Sequence, residues 1–116
     1  ITVKLVDYAF ENSKPLTAGK HVIRIENDAA QDHELVLLRL APGKSAQEAA
    51  AWLEKQAGPP PGEPLGGIAA IHPGGVGFIT VDLAPGDYGL LCFVSDAKDG
   101  KPHVAHGMVK QFKVEG

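Results

Sequence analysis

The stretch PGDYGLLCFVSDAKDGKPHVAHGM, residues 85–108, holds the chain's one cysteine, Cys92, and its one methionine, Met108, with two of its five histidines, His103 and His106, between them. Pro85-Gly86-Asp87 is turn chemistry, because proline presets its backbone angle and glycine tolerates unusual ones. Residues 88–94 that follow are mostly apolar or aromatic and read as a strand. Side chains alternate across a strand, so Tyr88, Leu90, Cys92 and Val94 share one face, and the thiol is carried into a partly apolar interior at the strand's end. A loop rich in Asp, Lys, Gly and Pro spans residues 95–106. The closing strand, residues 109–114, alternates apolar and polar with period two.

Working outward, residues 76–83 form another strand pattern, joined to residues 88–94 through the Pro85-Gly86-Asp87 turn as a hairpin. Residues 35–40 are apolar except for Arg39, as in a strand buried on both faces between two sheets, and His33 stands at its start. Val22-Ile23-Arg24-Ile25 breaks at Asn27-Asp28, and residues 1–10 read as one first strand before the turn residues Asn12, Ser13, Pro15 and Gly19. One segment differs. Ser45-Ala46-Gln47-Glu48 has the form of a helix capping box, and good helix formers follow it, so a single helix is expected over residues 45–57. Gly58 and Pro59 to Pro61 should stop it, with residues 58–67 as its return loop. We read it as a packing insertion or lid without a chemical role. The whole is an all-β Greek-key sandwich of about eight short strands, in one domain over residues 1–116.

An apolar content of 44% with 22% charged residues is that of a globular chain, and no apolar run approaches the roughly 20 residues of a spanning helix. A net charge of -3 gives no basic field, which argues against nucleic acid as a partner. The opening residues read as strand rather than as a secretory leader, so composition leaves the compartment open.

A lone cysteine cannot form an internal disulfide. Buried in a strand it is ordinarily inert filler, unless a metal takes its proton. A thiolate with two imidazoles and a weakly bound thioether is the trigonal set of a blue copper site. Cys92, Met108 and a histidine between them supply three of these donors. His33, at the head of the buried run 35–40, is placed to supply the other imidazole. On the residues alone His103 and His106 compete, and Met108 also suits plain core packing. His21 and His72 receive no role, and Tyr88 and Phe93 read as core.

Three segments carry a resemblance. Asn27-Asp28-Ala29-Ala30-Gln31-Asp32-His33 resembles the first-histidine segment of plastocyanin-like cupredoxins, and Pro85-Gly86-Asp87-Tyr88-Gly89-Leu90-Leu91-Cys92 resembles their strand leading to the copper cysteine. His103-Val104-Ala105-His106-Gly107-Met108 is similar to the family's His-x-x-x-Gly-Met ending. The resemblance implies an eight-stranded Greek-key sandwich with one type 1 copper on His33, Cys92, His103 and Met108. It favours His103 over His106, which is then a neighbour or an alternative ligand. Residues 94–102 make a longer loop than in plastocyanin or azurin, closer to the type 1 site of copper nitrite reductases. Glu34 stands where plastocyanin and azurin have an asparagine that ties the ligand loops together.

The resemblance further implies a periplasmic or otherwise extracytoplasmic, monomeric electron carrier with transient redox partners and no enzymatic step, its His103 ring edge near the surface as the electron port. The alternatives are copper storage, a copper-free binding module on the same fold and, less favoured, a domain of a multicopper enzyme. The last would need more histidines than remain.

Overall fold

The computed structural model describes residues 1–55 and 62–115, with backbone only for residues 53–55. Two four-stranded sheets face each other. The first contains β1 (Thr2–Val6), β2 (Ala9–Asn12), β3 (Gly19–Asn27) and β6 (Val76–Leu83), in the order β2-β1-β3-β6. The second contains β4 (His33–Leu40), β5 (Gly62–Ile71), β7 (Gly86–Leu91) and β8 (Val109–Val114), in the order β5-β4-β7-β8. β1 runs parallel to β3, and the other pairs are antiparallel.

Period-two alternation builds the core between the sheets. Val3, Leu5, Ile23 and Ile25 face inward from the first sheet, and Leu35, Leu37, Tyr88 and Leu90 from the second. Each such side chain, fully buried, contributes about 1.5–3 kcal/mol. The intervening residues of the second sheet point outward, yet Leu38, Leu40 and Leu91 are buried there too. Their cover is α1 (Ala46–Lys55), whose Ala46, Ala49 and Ala50 pack on them. The run 35–40 is therefore apolar but for Arg39 because β4 has a sheet on one face and a helix on the other.

The capping box forms as expected: Glu48 N–H donates to Ser45 Oγ (3.1 Å), and Ser45 N–H donates to Glu48 Oε1 (3.2 Å). Gly89 is the reason the helix can lie so close, because a Cβ there would stand 3.2 Å from the Ala46 Cβ. The helix is a packing element, as expected.

Three expectations are corrected. Residues 76–83 and 88–94 do not form a hairpin: β6 pairs with β3 in the first sheet and β7 with β4 and β8 in the second, so the turn at Ala84 and Pro85 carries the chain from one sheet to the other. Residues 1–10 are not one strand: β1 and β2 are separate antiparallel strands joined by a turn at Asp7 and Tyr8. Residues 62–67, expected in the return loop, begin β5. Gly62, Gly66, Gly67 and Pro64 carry little strand propensity, but β5 lies at the sheet edge, where proline's missing N–H is tolerated. The expected helix stop at Gly58 and the prolines, with Gln56 and Ala57, lies outside the described residues.

Topology brings the chemistry together. His33 opens β4, Cys92 directly follows β7, and His103 to Met108 lead into β8. These are three adjacent strands, so their donors converge at one end of the sandwich.

Candidate metal centre

The turn before His33 is tied by Asn27, a fully buried side chain. Its Nδ2 donates to the carbonyls of Ile71 (2.7 Å) and Gln31 (2.9 Å), and its Oδ1 accepts from Ala29 N–H (2.9 Å). Cys92 and His103 are clamped by a backbone closure: His103 N–H donates to Val94 O and Val104 N–H to Cys92 O, each at 2.9 Å. The long loop therefore does not separate its ends. Residues 95–102 stand off as a small hairpin, bridged at Ser95 and Pro102 and organised by Asp96, whose Oδ2 accepts from Lys98 N–H (3.0 Å). His103–His106 then forms one 3-10 turn that ends at Gly107, with φ +92°. That left-handed conformation favours glycine, and it turns Met108 back so that its N–H reaches His103 O (3.1 Å).

His33, Cys92, His103 and Met108 are all fully buried. His33 Nδ1 lies 3.9 Å from Cys92 Sγ and His103 Nδ1 lies 3.5 Å from it, and the three donor atoms fall within 4.8 Å of one another. Met108 and Cys92 belong to one core cluster. Burial pushes the Cys92 thiol up, reinforced by the Glu34 charge and opposed by the N–H groups of Glu34 and Val94. Burial also pulls His103 down, with the His33 ring adding to it. Such a dry pocket disfavours a free thiolate and a free imidazolium, whereas a cation that takes the thiol proton relieves the first cost and uses neutral imidazole. The chemistry of the donor set, two sulfurs and two imidazole nitrogens, fits a single type 1 copper.

Glu34 performs the tie that its position suggests, by a different group from the expected asparagine. Its N–H donates to Cys92 Sγ (3.3 Å), and its Oε1 accepts from Phe93 N–H (3.0 Å), which couples the two ligand segments.

The expectation of a surface His103 edge is overturned: the ring is completely shielded. His103 Nε2 faces Asp96 Oδ1 at 3.3 Å, close enough for an ion pair without the alignment of a hydrogen bond. Tyr8 lies against the ring, and Tyr8 Oη donates to Asp96 Oδ1 (2.9 Å). His106 is outside the donor group. It stacks on Tyr8 and places Nε2 at 2.9 Å from Asp99 Oδ2. Asp96, Asp99 and His106 also converge within 4.8 Å, but both Asp96 oxygens already accept hydrogen bonds, so the trio reads as a brace for the loop. His21 is bonded to Thr17 O (2.7 Å), and the exposed His72 is paired with Asp32 (2.9 Å).

Sequence reading missed Asp7, Tyr8, Gln31 and Asp96. Asp96 had a signal, the Asp-x-x-Asp-Gly turn pattern of residues 96–100. Asp7 had none, because it reaches the site from the β1–β2 turn.

No protein-family model matches the chain, and no curated protein matches it. Solved structures do. A dithionite-reduced auracyanin from Roseiflexus castenholzii is 22% identical with TM-score 0.65, over 99% of this chain and 95% of that one. Auracyanin A, a blue copper protein from Chloroflexus aurantiacus, is 19% identical with TM-score 0.61, over 99% and 98%. An azurin from Methylomonas sp. strain J is 19% identical with TM-score 0.59, over 100% and 97%. Sheet order, converging strand ends and likeness to these structures agree: the chain has the cupredoxin fold, with a buried donor set that fits one type 1 copper.

Proposed function

We propose that the protein carries single electrons on one type 1 copper held by His33, Cys92, His103 and Met108. The observation that carries this reading is the approach of two imidazole Nδ1 atoms to a buried thiol in a pocket closed to water. When bound, copper supplies one-electron chemistry by alternating between Cu(I) and Cu(II). The chain's part is to hold the donors still. Cys92 would offer the thiolate, His33 and His103 their Nδ1 lone pairs, and Met108 a weaker thioether donor. The Asn27, Glu34 and Val94 hydrogen bonds keep these groups in place whichever charge the site carries.

No bond-making step is assigned, and residues 1–116 act as one monomeric domain outside the cytoplasm. Electrons pass the ring of Tyr8, which lies against His103 and stacks on His106. Partners meet this end briefly, over the small area usual for redox encounters.

The test is to add one equivalent of Cu(II) to copper-free protein and record the visible spectrum. An intense thiolate-to-copper band is expected that bleaches with ascorbate and returns with ferricyanide. It should be absent in Cys92→Ser and present in His106→Ala. Absence of the band with Cys92 shown to be reduced would sink the reading. Copper that binds but does not cycle would point to storage instead.

A further inference from the structure

Each buried histidine turns one ring nitrogen to Cys92 and the other to a carboxylate. His33 Nε2 donates to Asp7 Oδ1 at 2.6 Å, and His103 Nε2 stands 3.3 Å from Asp96 Oδ1. The two carboxylates are not independent: Gln31 Nε2 donates to Asp7 Oδ1 (3.1 Å) and to Asp96 Oδ1 (3.0 Å). Gln31 Oε1 in turn accepts from Ala97 N–H (2.8 Å), which anchors this clamp to the ligand loop.

A neutral imidazole has one N–H and one lone pair. At His33 the hydrogen bond to Asp7 keeps the proton on Nε2 and leaves the Nδ1 lone pair facing the thiol, and at His103 the negative charge of Asp96 beside Nε2 favours the same tautomer. A carboxylate in that place also raises the donor strength of the ring. Asp96, almost wholly buried, adds a negative charge with little solvent screening, which favours the more highly charged metal state. The Asp7 side chain is 38% exposed, so its through-space field is screened, and it acts through a short charge-assisted hydrogen bond.

We propose that Asp7 and Asp96, joined by Gln31, are positioning residues that hold His33 and His103 in the metal-binding tautomer and bias the site toward Cu(II), lowering its reduction potential. This rests on the copper reading above.

The test uses copper-loaded full-length protein, with Asp7→Asn as the principal variant because Asp96 also organises its loop. Redox titration followed by the visible band should show Asp7→Asn still blue. Its Cu(II) affinity should fall about tenfold relative to Cu(I), a rise of about 59 mV for a one-electron couple. Asp7→Glu should restore most of the loss, and Asp96→Asn should shift the same way. Long-range proton–nitrogen NMR on copper-free wild type should show both rings protonated at Nε2, a readout that needs no variant to fold. A blue Asp7→Asn with unchanged potential, or an Nδ1-protonated His33 in wild type, would overturn the inference alone. A wild type that binds copper without turning blue would overturn the copper reading, and the inference with it.

Discussion

Tyr8 lies with its ring centroid 5.7 Å from that of His103 and 4.7 Å from that of His106, and beneath this cover His103 is wholly shielded from solvent. Tyr8 reaches the ring from the β1–β2 turn, while Asp96 meets its Nε2 from the ligand loop. The turn places an aromatic ring between a donor histidine and any partner.

Removing that ring should shorten the way to the site. In reduced, copper-loaded protein, Tyr8→Ala is expected to speed oxidation by ferricyanide several-fold, whereas Tyr8→Phe, which keeps the ring, should stay near wild type. Stopped-flow mixing measures both. Equal rates in wild type and Tyr8→Ala would mean that electrons leave by another face.

Glu34 joins the two ligand segments through Phe93 N–H at 3.0 Å. Glu34→Ala leaves that donor without its charged partner, so a loss of about 1–2 kcal/mol in denaturant unfolding of the copper-free protein is expected. Glu34→Gln retains an acceptor oxygen and should lose less. If Glu34→Ala unfolds like wild type, the tie carries no stability.

Acid should weaken the loop through Asp96 and Asp99. Burial alone would raise the Asp96 carboxyl, but hydrogen bonds from Gln31, Tyr8 and the N–H groups of Lys98 and Asp99 outweigh it and hold it well below the usual carboxylate range. Asp99 is lowered by Lys101 N–H and then by His106. A carboxyl depressed by folding stabilises the fold above its unfolded pKa, about 3.9 for aspartate, and this is lost as pH falls through the depressed folded value. The thermal midpoint of copper-free protein should therefore hold from neutral pH to about 5 and decline below about 4. Asp96→Asn should start lower and decline less steeply. Parallel wild-type and variant curves below that pH would show that Asp96 is not part of the acid response.

The parts of the fold that could be read in advance are those where local chemistry and tertiary packing agree. The Ser45–Glu48 capping box formed because its hydrogen bonds lie within four residues. Cys92 points inward because strand alternation from Tyr88 dictates it. β5 could not be read, since glycine, alanine and proline do not announce a strand; pairing with β4 imposes the extended form on them. The β1–β2 turn was hidden because residues 1–10 are strand-like throughout.

At the site, the three side chains that converge, His33, Cys92 and His103, could be named beforehand from the resemblance of their segments to the cupredoxins, whereas spacing alone left His103 and His106 in competition. The partners behind the histidines could not be named. Asp7 meets His33 across 26 residues of chain. Gln31 meets Asp96 across 65. Burial of His103, the carboxylates at both rings and the Tyr8 cover depend on how two sheets stack and where a distant turn falls. Those are through-space distances set by packing, and one-dimensional order does not encode them locally.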